Sequence, residues 1–353
     1  MADNRTNLRE SNFELLRLYA IFSVLMYHGI SWYIMNYAPE NMVGHALWLP
    51  FRTAVTLFVL ISGYFGIKES VMGGAKLIGK TLFYFVPIEV ASTIIRGGGL
   101  RDLIHAFMPI SNGPYWFIST YLCLFLLSPA INQLLNEISI QKRRYLIIVL
   151  AFMSLYLGFL GPTDGPLALG KNVIHFILIY IIGYTIRKNE DRVNGFPIWI
   201  LWTLFILLNI GPVIFFVLFS ETKLTYLMCL FDWDNGVFLL INAIVTFLLV
   251  SKWHFKSKFI NYLASSVFAI YILQQEPFIS SALREWFYGI WPFQINPGGG
   301  VVETLNLAFF VFIRSILFMI IFIAIDKLLT PIWNSLNELY KRIDASLMTY
   351  RYR

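Results

Sequence analysis

Residues 13–34 read FELLRLYAIFSVLMYHGISWYI, an apolar run long enough to cross a bilayer, and its interior carries Arg17 and His28. Those two bracket ten uncharged, mainly apolar residues. Eleven positions at about 100° each return to one helix face, so the two side chains lie about 16 Å apart along the axis. An ionisable group inside a span costs at least a few kcal/mol, so such a group faces the bundle interior or a water-filled cavity. With Arg17 at the membrane surface, His28 falls near mid-bilayer.

The rest of the chain matches this opening. Of 353 residues, 58% are hydrophobic, 17% aromatic and 13% charged, with a mean hydropathy of +0.67. Soluble domains are far less apolar, and the expected fold is an all-α, polytopic membrane bundle. A net charge of +7 would suit a nucleic-acid partner in a soluble protein. In a membrane protein the positive-inside bias accounts for it, and the bilayer is the expected partner. Cys123 and Cys229 fall in or beside apolar runs without metal or redox spacing. The first run follows a charged N-terminus, as in a signal peptide, but contains Arg17 and His28 and lacks a small-residue cleavage pattern. It reads as a retained helix.

Ten spans are expected: 13–34, 47–67, 77–95, 115–135, 144–160, 172–187, 197–219, 236–251, 259–280 and 306–329. Assigning loops alternately to two sides puts nineteen of the 27 Lys and Arg on the side of the termini and five on the other. Arg17, Arg52 and Arg314 fall within or at the ends of spans. Both termini are therefore expected in the cytoplasm. No loop exceeds about 25 residues, so residues 1–353 read as one domain and any chemistry belongs to the bundle. Gly161–Pro166 and Asn296–Gly300 read as turn-rich connectors. No internal repeat stands out, which counts against an inverted-repeat transporter.

His28 suits a general base, since imidazole can take a proton from an alcohol and return it; the plainer alternative is a hydrogen bond to a neighbouring helix. Arg17 lies one turn from Glu14, which suits an interfacial ion pair. Its alignment under His28 suits a second role, presenting a fork of donors to an anionic substrate. Ser62, Gly63 and Tyr64 close the second span, where glycine lets a backbone or ligand approach, as in ordinary helix packing. Lys76 and Lys80 present two charges on one face, for headgroups or a phosphate. Tyr115 and Trp116 beside Asn112 suit either interfacial anchoring or contact with a sugar. His175 and Asn242 are candidate polar links between helices. Asp232-Trp233-Asp234 reads as a solvated outer loop, and His45, His105 and His254 lack metal-ligand spacing, so no metal is expected.

Several segments together resemble membrane acyltransferase family 3, bacterial integral-membrane enzymes that O-acylate saccharides. The resemblance is carried by SNFELLRLYAIFSVLMYH (residues 11–28), FVLISGYF (58–65), PYWFISTYLCLFLLSPAIN (114–132) and SSVFAIYIL (265–273). It implies transfer of an acyl group, usually acetyl, from cytoplasmic acyl-CoA to a hydroxyl of a surface polysaccharide or lipid-linked sugar at the inner membrane. Acetyl-CoA would be the cosubstrate, His28 the base and Arg17 the partner near the donor, beside Ser62, Gly63 and Tyr64. Family members often carry arginines where this chain has Lys76 and Lys80. Relatives often read Tyr-Leu-Ile-His where this chain reads Tyr271-Ile272-Leu273-Gln274, and Glu276 lies nearby for acid–base or acceptor contact. The alternatives are a proton-coupled saccharide transporter or flippase using His28, and a membrane glycosyltransferase, which usually has larger outer loops.

Overall fold

The computed structural model describes residues 10–68, 71–109, 115–290 and 301–351, and among these there are helices and no strands. Asn112 lies outside the described residues. Helix α1 spans Ser11–Tyr37, α2 Met42–Trp48, α3 Ala54–Phe65, α4 Val71–Ile95, α5 Leu100–Ala106, α6 Trp116–Glu137 and α7 Ile140–Ala151. Then follow α8 Val173–Lys188, α9 Ile198–Leu218, α10 Val237–Ser251, α11 Lys258–Ala264, α12 Val267–Gln275, α13 Pro277–Ile290 and α14 Val301–Arg351. The protein is an all-α polytopic membrane bundle.

Among the described residues, seven helices are long and apolar enough to cross a bilayer. An eighth span arises if Lys223–Asp232 and α10, bent by 43°, count as one. The remaining two expected spans take shorter forms. Helix α8 has 16 residues, and the run expected at 259–280 is broken into α11, α12 and the start of α13. Such breaks are tolerated where protein rather than lipid satisfies the freed backbone groups. At the α12–α13 break, Glu276 Oε2 accepts from Ile279 N at 2.6 Å, capping α13.

Helix α1 forms the axis of the bundle and buries residues on nearly every face. Its polar start is tied down: Ser11 Oγ donates to Asn261 Oδ1 at 2.8 Å, and Asn12 Nδ2 to the Val250 carbonyl at 3.2 Å. Phe13 packs on Tyr64 and Phe247, with ring centroids 5.1 and 5.5 Å apart. The start of α1 therefore shares one end of the bundle with the ends of α3 and α10, as an alternating traverse requires. Helix α3 packs most extensively on α8, with Gly63 set against the Tyr180 carbonyl and Gly183 against the Leu60 carbonyl. A Cβ at Gly63 would overlap that backbone, so the small residue sets the spacing of the two helices.

Polar residues expected to link helices do so. Asn209 and Asn242 exchange amide hydrogen bonds of 3.0 and 3.1 Å. A π-helical stretch, Phe152–Leu157, carries Ser154 to 2.8 Å from His175 Nδ1. Asp232 and Asp234 do not form a solvated loop, since Asp234 is 1% exposed. Arg52 Nε lies 3.0 Å from Asp232 Oδ1, its Nη2 3.5 Å from Asp234 Oδ1, and Trp48 Nε1 donates to Asp232 at 3.0 Å. A lone arginine at a span boundary needs a counter-charge, and the two aspartates supply it.

Candidate active site

Arg17 and His28 share a face of α1 but open into different cavities. The larger, about 340 Å³, is lined mainly by apolar groups and includes Arg17, Val24, Ser62, Phe117, Tyr121 and Tyr271. Partly exposed Arg17 and exposed Ser265 mark its mouth. Arg17 forms an ion pair with Glu14 and keeps 23% of its side chain exposed. Inside, Ser62 Oγ donates to the Phe58 carbonyl at 2.9 Å and so accepts from Tyr121, 3.0 Å away.

A smaller cavity of about 40 Å³ lies beyond, lined by His28, Gln274, Gln275, Ser280, Arg284 and Arg314 together with apolar side chains. Val24 and His28 are four residues apart on α1, and Tyr271 and Gln275 four apart on α12. That spacing puts each pair on one face, about 6 Å apart along its axis. Val24 and Tyr271, which line the large cavity, are thus each one helical turn from a residue of the small one.

The side-chain amide of Gln275 donates to His28 Nε2 at 2.9 Å, leaving the proton of the neutral ring on Nδ1. Gln274, at the position where relatives often have histidine, lines the same cavity without making that contact. Arg284 and Arg314 line the cavity beside His28, and guanidinium groups there suit a developing negative charge. Gly29 makes room for one of them: a Cβ there would meet the Arg314 guanidinium and Val311. Arg314 in turn lies 4.6 Å over the Phe318 ring.

The other expected site residues are dispersed. Gly63 packs against Tyr180, and Tyr64 leaves the cavity to meet Glu190 and Arg187, each at 3.0 Å. Lys80 stands 3.6 Å from Asp326, which also accepts from Tyr84 and Ser266. Lys76 lines a separate groove with Trp333 and Asn337. Tyr115 is fully buried and donates to the Ile272 carbonyl at 3.0 Å, holding α6 to α12. Trp116 carries Lys171 over its ring at 5.4 Å. Glu276 is buried as the cap of α13. Sequence reasoning missed Gln275, Arg284 and Arg314. Only Arg314, a charge inside a span, carried a signal that could have found it.

The membrane-spanning helical bundle thus carries His28 beside a small cavity lined by Arg284 and Arg314, one helical turn from a larger apolar cavity. The family model described as an acyltransferase domain matches residues 10–325, and the chain belongs to that family, membrane acyltransferase family 3. The protein is a membrane acyltransferase. Searches of curated proteins and of solved structures found no match.

Proposed function

We propose that this acyltransferase takes an acyl group, acetyl in the simplest case, from cytoplasmic acyl-CoA and delivers it to a hydroxyl of a surface polysaccharide or lipid-linked sugar at the inner membrane. The observation that carries this reading is the large apolar cavity running from Arg17 to one helical turn short of His28. A thioester donor has a phosphorylated head and a long slender arm, and this cavity suits that shape. The head stays at the Arg17 mouth, where a guanidinium fork suits phosphate. The arm fills the apolar passage and carries the thioester past Val24 and Tyr271 toward His28.

The acceptor hydroxyl approaches from the cationic side and takes the place of the Gln275 amide at His28 Nε2. His28 removes the hydroxyl proton as the oxygen attacks the thioester carbonyl. A carbon–oxygen bond forms, the carbon–sulfur bond breaks, and the proton ends on the departing CoA thiolate. The surrounding arginines stabilise the oxyanion formed on the way. With both termini cytoplasmic, the Arg17 mouth faces the compartment that holds acyl-CoA. Mass spectrometry of the host's surface glycans with and without the gene tests this reading: one acyl mass per modified sugar should disappear with the gene, and an unchanged spectrum contradicts it.

A further inference from the structure

At the same end of the bundle as the start of α1, the start of α7 and the end of α8 enclose a second feature, a cleft of about 320 Å³. Four cations line it, Arg143 and Arg144 from α7 and Lys188 and Arg192 from the α8 side, with Ile140 and Ile147 as apolar walls. No carboxylate is among its lining residues. We propose that this cleft binds a phosphate headgroup at the membrane rim.

Cations that merely flank a span extend singly into water or toward headgroups. These four converge on one concavity. Arg143 and Lys188 are held over the same ring, Tyr184, at 5.4 and 5.5 Å. Tyr184 is itself fixed, its hydroxyl donating to Asn136 Oδ1 at 2.8 Å. Two like charges on one platform repel, and an anion between them converts that repulsion into attraction. Among the described residues none of the four forms a salt bridge, whereas neighbouring Arg187 is already paired with Glu190 at 2.8 Å. Arg143 Nε is buried without a hydrogen-bond partner, a donor left for a ligand.

The neutral polar groups of the cleft are already engaged. Thr185 Oγ1 donates to the Ile181 carbonyl, and Asn189 Nδ2 to the Thr185 carbonyl, each at 2.7 Å. Recognition therefore falls to charge, and guanidinium forks match phosphate oxygens. From Ile147 onward α7 is apolar, so the four charges sit where a helix leaves the hydrocarbon. Basic pockets between membrane helices at that depth suit lipid headgroups.

Native mass spectrometry of the full-length protein in a neutral detergent tests this. Dioleoyl phosphatidic acid and dioleoyl phosphatidylcholine are offered in equal amounts, with inorganic phosphate as a third arm. The phosphatidic acid adduct should exceed the phosphatidylcholine adduct on the order of tenfold. The preference should fall to near parity in Arg143→Gln/Arg144→Gln and persist in Lys256→Gln/Lys258→Gln, which alters cations elsewhere. If the first variant fails to fold, Lys188→Gln/Arg192→Gln removes the opposite wall instead. Displacement of the lipid by millimolar phosphate identifies a site that also takes free phosphate; resistance to it identifies one that needs the lipid. Equal retention of the two lipids by the wild type, or an undiminished preference in a folded cleft variant, overturns the proposal.

Discussion

Gln275 on α12 reaches across the small cavity to place its amide 2.9 Å from His28 Nε2 on α1. The contact fixes both the ring's orientation and its tautomer, and it occupies the nitrogen that a substrate hydroxyl needs. An uncharged amide can yield that position without leaving a buried charge behind.

Gln275→Ala should therefore lower kcat on the order of tenfold by releasing the ring, while KM for acyl-CoA stays within about twofold. Steady-state kinetics on the folded variant decide this. An unchanged kcat would mean that the contact does not position His28.

Gly29→Ala adds a methyl group where the Arg314 guanidinium and Val311 already sit. Overpacking should destabilise the protein by about 1–3 kcal/mol and displace the arginine from the cavity. Thermal unfolding in detergent and acyl-transfer rate should both fall. A variant with wild-type stability would show that the bundle yields easily at this point.

The Arg52–Asp234 pair should be worth less than the damage done by breaking it. Asp234→Asn, leaving Arg52 with Asp232 as its remaining counter-charge, should cost about 3 kcal/mol. Arg52→Met combined with Asp234→Asn should cost less than the sum of the two single changes. Strict additivity in a double-mutant cycle would count against coupling between them.

The fold class was legible because apolar length and charge alternation are properties of sequence alone. Where reading failed, the cause was tertiary. Span 259–280 is continuous in hydropathy, yet folds as three pieces because protein contacts, including the Glu276 cap, satisfy the broken backbone. Asp232 and Asp234 looked solvated because their partner, Arg52, lies 180 residues earlier in the chain. The helical period placed Arg17 and His28 on one face, but which cavity each lines depends on α6, α12, α13 and α14. Gln274 drew attention by its place in the family pattern, whereas the hydrogen bond is made by its neighbour.

Arg17 tests the donor passage. Arg17→Lys keeps the charge and loses the planar fork, so KM for acyl-CoA should rise about tenfold with kcat within about twofold. An unchanged KM would mean that Arg17 serves only its ion pair with Glu14.

The most direct test of the central claim is acetyl transfer from labelled acetyl-CoA by membranes containing the full-length protein and the host's own glycans, comparing wild type with His28→Ala. CoA release and label on glycan are expected for the wild type, with a loss of at least about a hundredfold for His28→Ala at equal folded abundance. Equal label on glycan from the two proteins would contradict that claim.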